Sequence, residues 1–278
     1  MNMIIFLGLV ALLIVCALYQ GLDTGRYRIA SAKLARETEI RLCLVTDLHS
    51  VTWGRGQSLL IQRIKATKPD AILLGGDIFD DKFDNAFSPV EELLNGIQGL
   101  APCFYVTGSH DIWTWRMADI EALLKGYGVA VLHGETLPLT VRGQSLWISG
   151  IDEPAAAVPA GQMDEAAFYR HCLSAFEGLN PARFNLLIAH RPEFIEDYAA
   201  LGFDLVVSGH CHGGQVRIPF ILNGLFAPGQ GLFPTYAAGK YQVKHTALIV
   251  SRGLHFAWHL PRIFNRPQVV QITLTGKN

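Results

Sequence analysis

Five short segments concentrate the side chains able to bind metal ions or move protons. They are Asp47-Leu48-His49, Gly75-Gly76-Asp77, Gly108-Ser109-His110-Asp111, His190, and Gly209-His210-Cys211-His212-Gly213-Gly214. In extended backbone, residues i and i+2 point to the same side, so Asp47 with His49 and His210 with His212 can each aim two donors at one point. Imidazole and carboxylate without thiolate suit Mn, Fe or Zn, not a structural Cys-type zinc site. Six such donors are too many for one tetrahedral ion and natural for two, with a carboxylate such as Asp77 shared between them. Two ions about 3.5–4 Å apart clamp the attacking and leaving oxygens in phosphoryl transfer. A single Asp after a strand is most often a helix cap, but a cap reading does not explain five clusters in one chain.

Each cluster follows a short apolar run: 41–46, 71–75, 103–106, 185–189 and 205–208. Helical spacing of apolar residues appears at 57–68, 89–99, 119–126 and 163–177, and strand-like patterns recur at 129–132, 137–141, 145–151, 241–250 and 268–275. Alternating strands and helices without repeats predict an α/β layered domain. In such sheets, sites assemble at the carboxyl ends of the strands, which is where these clusters fall.

Lys and Arg total 23 and Asp and Glu 24 in 278 residues, a net charge of −1 that argues against a nucleic-acid partner. Hydrophobic residues make up 50% and charged residues only 17%, so the excess must be buried in a core or in a membrane. Residues 3–19 carry no charge. Their length is at the lower limit for crossing a bilayer, and they lack the basic leader of a cleaved signal. The expectation is an N-terminal transmembrane anchor over residues 1–22, a linker over 23–40, and one catalytic domain over 41–278. Arg26, Arg28, Lys33 and Arg36 follow the apolar run, which places the domain in the cytoplasm as a single-pass inner-membrane protein. Five cysteines without a CxxC pair suggest neither a disulfide framework nor a Cys-zinc site.

Asp47-x-His49, Gly76-Asp77, Gly-x-His110-Asp111, His190-x-Pro192 and Gly209-His210-x-His212 together resemble the calcineurin-like metallophosphoesterase signature, from about Arg41 onward. That resemblance implies a four-layer αββα sandwich, two divalent metal ions (Mn, Zn or Fe), and hydrolysis of a phosphodiester or pyrophosphate. It implies one ion on Asp47, His49 and His212, a second on His190, His210 and Ser109, and Asp77 bridging. His110 would act on the leaving oxygen, with Asp111 orienting its ring. The family has Asn where this chain has Ser109, which implies weaker binding at the second ion.

The apolar N-terminus, His212-Gly-Gly-Gln215, Ser251-Arg252-Gly253 and Phe264-Asn-Arg-Pro267 are similar to a bacterial membrane-associated branch. That branch includes enzymes resembling UDP-2,3-diacylglucosamine pyrophosphatases of lipid A biosynthesis, so the expected substrate is a membrane lipid. Arg252 and His255 are candidate substrate contacts, and the apolar segment 218–233 a wall for acyl chains, a bilayer-facing surface, or a buried edge. Two alternatives stand beside this reading: a phosphodiesterase for soluble nucleotide diesters, and an anchored noncatalytic protein with a degraded metal site. Trp113 and Trp115 are expected in the core, with the wall of a substrate cleft as the alternative; Asp80 and Asp81 are expected as solvated loop acids, with support of the metal ligands as the alternative; and His133, His171, His245 and His259 are given no role in the site.

Overall fold

A computed structural model describes residues 2–82, 87–154, 165–256 and 261–277. In chain order the first half comprises α1 (Asn2–Leu18), β1 (Asp23–Ser31), β2 (Glu39–Val45), α2 (Ser58–Ala66), β3 (Ala71–Gly75), α3 (Phe87–Ile97), β4 (Cys103–Val106), α4 (Ser109–Trp113), α5 (Met117–Gly126) and β5 (Val129–Val131). The second comprises β6 (Thr136–Val141), β7 (Gln144–Ile151), α6 (Glu165–Leu173), β8 (Phe184–Ala189), α7 (Ile195–Ala200), β9 (Leu205–Ser208), β10 (Phe226–Ala227), β11 (Gly231–Leu232), β12 (Gly239–Val243), β13 (Thr246–Val250) and β14 (Gln268–Gly276). His259 lies outside the described residues.

Twelve of the strands form two six-stranded sheets, ordered β1-β14-β2-β3-β4-β5 and β12-β13-β9-β8-β7-β6, and β10 pairs with β11. Their central strands are buried on both faces, which is why they read as unbroken apolar runs. Alternate side chains serve different cores. Leu42, Leu44, Leu73, Leu186, Ile188 and Val207 fill the space between the sheets. Cys43, Val45, Ile72 and Leu74 face outward onto Leu60, Ile64, Leu93, Ile120 and Leu124 of α2, α3 and α5. On the other side, Leu187, Ala189 and Val206 meet Tyr169, Ile195 and Tyr198 of α6 and α7. The result is the expected mixed α/β sandwich, helices outside two facing sheets.

Parallel pairing aligns the ends that carry chemistry. Val45 pairs with Leu74 and Gly75 with Val106, so the loops after β2, β3 and β4 leave the first sheet side by side. Ile188 pairs with Val207, and the loops bearing His190 and His210 leave the second sheet in the same way.

The expected linker over 23–40 needs correction. Residues 23–31 form β1, parallel to β14 from Asp23↔Gln268 to Ser31↔Gly276. Arg26 and Arg28 interrupt the apolar pattern and disguise it, but charges suit an exposed edge strand, where they discourage pairing with other chains. The run at 241–250 is two strands, with β12 turning antiparallel into β13 at Val243↔Thr246.

The N-terminal anchor is also revised. Helix α1 has 17 residues, about 25 Å at 1.5 Å per residue against about 30 Å of hydrocarbon. Among the described residues no helix is long and apolar enough to cross a membrane. Met3 to Phe6, Leu12 to Val15 and most of the rest are nonetheless exposed. Among the described residues the helix meets the body at its end: Phe264 N–H donates to the Ala17 carbonyl at 2.7 Å, and just past it the Arg266 guanidinium lies 5.0 Å over the Tyr19 ring.

Because β1 belongs to the sheet, a fragment beginning at Glu39 should be less stable than one beginning at Gly21. The loss should include at least the roughly 1.5–3 kcal/mol that burying Ile29 contributes, and urea unfolding of the two fragments will measure it. Equal midpoints would show that β1 is a passive linker.

Candidate metal centre

The strand-end loops are joined by carboxylates that bond to each other's backbone. Asp47 Oδ1 accepts the His210 N–H at 2.8 Å, joining the two sheets. Asp77 Oδ1 accepts the His110 N–H at 2.8 Å. Asp111 Oδ2 accepts N–H groups from Asp77 and Gly108, each at 2.8 Å, and Oδ1 accepts that of Phe79 at 2.7 Å. The β2 and β3 loops are also paired directly, Asp47 N–H to Gly76 O and His49 N–H to Asp77 O, both at 3.0 Å.

The backbone here is tight. Asp47, His49, Asp77, His210 and His212 all have φ between 47° and 69°, left-handed conformations that Asp and His tolerate better than most residues. Two glycines are sterically required beside them. A Cβ on Gly76 would lie 2.5 Å from His190 Nδ1, and one on Gly209 would lie 2.5 Å from Asp47 Oδ2.

The donors converge in groups whose ligating atoms lie within 4.8 Å of one another: Asp47, His49 and His212; Asp77, His190 and His210; and His49, Asp80 and His110. Asp77 Oδ2 stands between the first two groups, 3.1 Å from His190 Nε2 and 3.6 Å from His49 Nε2. The second oxygen of Asp47 and the Nε2 atoms of His49, His190 and His210 are buried without a hydrogen bond, although burying such atoms unpaired is costly. His190 Nδ1 sits 2.8 Å from the Gly75 carbonyl. That oxygen can only accept, so Nδ1 donates to it and Nε2 is the atom left facing Asp77, the side on which a metal-ligating imidazole binds its ion.

Against the effect of burial, the nearby carboxylates hold His49 and His190 above the usual imidazole range, while the other two rings are held below it. Burial, then the charge of His190, pushes His210 down to about 3. Burial, His49 and Arg262 hold His212 well below the usual imidazole range. Both rings are therefore neutral at pH 7 and able to ligate. Burial alone would raise Asp77, but His190, His49 and His110 hold it well below the usual carboxylate range. The residues present fit two divalent cations.

His110 lies at the rim, its Nδ1 2.7 Å from Asp81 Oδ1. Asp81, and not Asp111, is the carboxylate on that ring, because both Asp111 oxygens are taken by backbone N–H groups. Burial and the adjacent Asp77 push Asp111 up to about 7. Asp80 is buried, with Oδ2 3.5 Å from His49 Nδ1, so neither acid is the simple solvated loop residue expected. Ser109 is buried between Gly108 and His110, at the start of α4.

His255 reaches the cluster: its N–H donates to the Asp47 carbonyl at 2.6 Å and its ring lies 4.9 Å from that of His49. Arg252 does not. Its Nη2 bonds Asp23 Oδ2 at 2.9 Å and its Nε bonds Gln268 Oε1 at 3.0 Å. Trp113 and Trp115 are 46% and 89% exposed, not core, and the Trp113 ring lies 5.0 Å from His110. Sequence reasoning missed buried Arg262, whose Nη2 lies 3.3 Å from His212 Nδ1. It also missed Asn265, whose Nδ2 donates to the His212 carbonyl at 2.7 Å. The Phe264-Asn265-Arg266-Pro267 ending was the available signal.

If these donors hold ions in the folded state, Mn²⁺ at one hundred times its Kd should raise the unfolding free energy by about 2.7 kcal/mol. His210→Ala should reduce both that gain and the bound metal measured by elemental analysis. Full metal content in the variant would remove His210 from the ligand set.

Residues 40–214 match the family model for calcineurin-like phosphoesterases. Phosphodiesterase YaeI of Escherichia coli is 30% identical over 211 residues, covering 74% of this chain and 71% of that one. An uncharacterized metallophosphoesterase of Aquifex aeolicus is 27% identical over 260 residues, covering 92% and 93% of the two chains. Among solved structures, the Thermus thermophilus sulfate thiohydrolase SoxB aligns with a TM-score of 0.50 at 14% identity, over 79% of this chain and about half (52%) of that one. That last likeness is one of fold alone. A family match over most of the chain, falling on the loops that gather these donors, makes this protein a member of the calcineurin-like phosphoesterase family and a metal-dependent phosphohydrolase.

Proposed function

We propose that the chain is a membrane-attached phosphodiesterase or pyrophosphatase that uses two divalent ions to hydrolyse a lipid-linked substrate. The observation that carries the chemistry is the pair of donor groups meeting at Asp77, with His110 beside them on Asp81. Asp47, His49 and His212 would hold one ion, His190 and His210 the other, with Asp77 shared and Ser109 adjacent. Mn, Zn and Fe all suit these donors. When bound, such ions supply an activated water near neutral pH and neutralise charge on the phosphoryl oxygens.

The remaining work belongs to the chain's own groups. The Asp81 carboxylate accepts from His110 Nδ1, leaving Nε2 to give a proton to the leaving oxygen. Asp111 positions the loop carrying His110 through the Gly108 and Phe79 N–H groups. Asn265 braces His212 through its backbone carbonyl, Arg262 lies beside its ring, and His255 stands where it can meet a substrate oxygen.

The lipid assignment is supported by apolar surface. The eleven Leu, Ile, Val and Phe residues of α1 would gain roughly 3–7 kcal/mol from hydrocarbon, and we infer that the helix is embedded in the bilayer. Phe220, Ile221, Phe226, Leu232 and Phe233 add exposed apolar side chains after His212. The basic residues after α1 favour the cytoplasmic face of the inner membrane. UDP-2,3-diacylglucosamine is the candidate substrate, and that choice rests on the resemblance of the sequence motifs.

The full chain in detergent should hydrolyse bis(4-nitrophenyl) phosphate with Mn²⁺ and lose the activity to chelator. His110→Gln should slow turnover by about 10²–10⁴-fold and Asp81→Asn by a smaller factor, both with bound metal unchanged. With each buried acyl CH₂ contributing about 0.8 kcal/mol, the diacylated substrate should exceed a soluble nucleotide diester by at least about tenfold in kcat/KM. Metal-bound protein that turns over neither would sink the enzymatic mechanism, and a preference for the soluble diester would sink the lipid assignment.

A further inference from the structure

A second charged pocket lies apart from the metal centre. It has a volume of about 460 Å³ and is lined by Arg217, Arg252, Phe264 and the segment Ile218 to Asn223. Arg252 is held in place by Asp23 and Gln268. Arg217 makes no ion pair among the described residues, and its Nη1 is buried without a hydrogen bond. Burial, then the charge of Arg252, pulls Arg217 below the usual guanidinium range. Two guanidiniums facing one pocket repel each other, and an anion bound between them reverses the sign of that interaction. Carboxylate and phosphate oxygens both match their forked donors, and the apolar hairpin beside the pocket favours the phosphate of a lipid.

The rim of this pocket is apolar and rigid. Ile218 N–H donates to Leu222 O at 2.9 Å and Leu222 N–H returns to Ile218 O at 2.8 Å, closing a tight hairpin. Its tip presents Phe220 and Ile221 at 109% and 82% exposure. Phe264, on the pocket wall, is the residue whose N–H bonds Ala17 O in the last turn of α1. The cationic pocket, the exposed hairpin tip and the end of the apolar helix therefore meet at one place. A free phosphate would use the arginines only, whereas a phospholipid would use the arginines for its phosphate and the hairpin for its chains.

We propose that this pocket binds the phosphate of an anionic phospholipid at the level where α1 enters the bilayer, as a docking site separate from the catalytic centre. The assignment rests on the bilayer location inferred for α1 and does not depend on the identity of the substrate.

Native mass spectrometry of the full chain from neutral detergent provides the test, with dioleoyl phosphatidylglycerol, dioleoyl phosphatidylcholine and glycerol 3-phosphate as probes. The expected result is retention of one phosphatidylglycerol, at least about tenfold more tightly than either other probe, since phosphatidylcholine brings its own cation toward the arginines and glycerol 3-phosphate brings no chains to the hairpin. Arg217→Gln should abolish the preference, Phe220→Ser should weaken retention, and exposed Arg63→Gln should change nothing. Arg217→Gln should keep full activity on the soluble chromogenic diester, which also shows that it is folded. Equal retention of both lipids, or retention unchanged by Arg217→Gln, would overturn the site. Glycerol 3-phosphate held as tightly as phosphatidylglycerol would overturn the lipid as its ligand. Flotation of the wild-type chain with phosphatidylcholine vesicles tests α1 separately. Failure to float overturns the bilayer location and the lipid assignment together, whereas flotation without a headgroup preference overturns the pocket alone.

Discussion

Three buried carboxylates hold most of the loops of the metal centre against one another and so set where their side chains point. Asp47 reaches across to the backbone of His210, Asp77 to that of His110, and Asp111 to those of Asp77, Phe79 and Gly108. A carboxylate with one oxygen fixed by an N–H has little freedom left in the other. Asp47 and Asp77 are thus aimed at the donor clusters by the same bonds that join the loops. Hydrogen bonds to charged groups contribute about 1.5–3 kcal/mol each, and the dry surroundings strengthen them further.

This assembly opposes itself electrostatically and sterically. Asp47 and Asp77 each raise the energy of the other's charge, and Asp77 does the same to Asp111. Five of the donor-bearing residues occupy left-handed backbone conformations, at about 1–2 kcal/mol each. Such strain persists only where surrounding structure over-determines it. Here that structure is the three packed cores, whose central strands are buried on both faces. Bound cations would relieve the carboxylate repulsion, because a metal ion is the largest charge in such a site and reverses the local preference.

Legibility in the sequence followed local information. The strands at 71–75, 103–106 and 205–208 were placed to the residue because doubly buried strands leave an unbroken apolar run. The donors were visible because each sits one to five residues past such a run. Strand β1 was hidden, since an edge strand with Arg26 and Arg28 facing outward has too little apolar alternation to be seen. Asp81 and Asp111 were assigned opposite roles for a related reason. Adjacency to His110 suggested Asp111 as its partner, but at the start of a short helix the next residue turns its side chain onto the N–H groups of Gly108 and Phe79. The carboxylate that meets the ring arrives instead from the β3 loop, through a pairing of loops that spacing cannot express. Arg262 and Asn265 were likewise beyond reach, being brought to His212 by a return of the chain some fifty residues later.

The fold and its donors are shared across many chemistries, so selectivity must come from what surrounds them. In this chain the surroundings are joined by one short segment. Arg262 touches His212, Asn265 holds the His212 carbonyl, Phe264 bonds the end of α1, and Arg266 lies on Tyr19. Five consecutive residues therefore connect a histidine of the candidate metal centre, the arginine pocket and the apolar helix. A displacement of α1 must either break the Ala17–Phe264 bond or carry Phe264 with it, and Phe264 precedes the residue that holds His212. An embedded helix would thus fix the orientation of the catalytic opening to the bilayer through covalent neighbours. Residues 23–31 add no slack between them, being strand β1, paired along its whole length with β14.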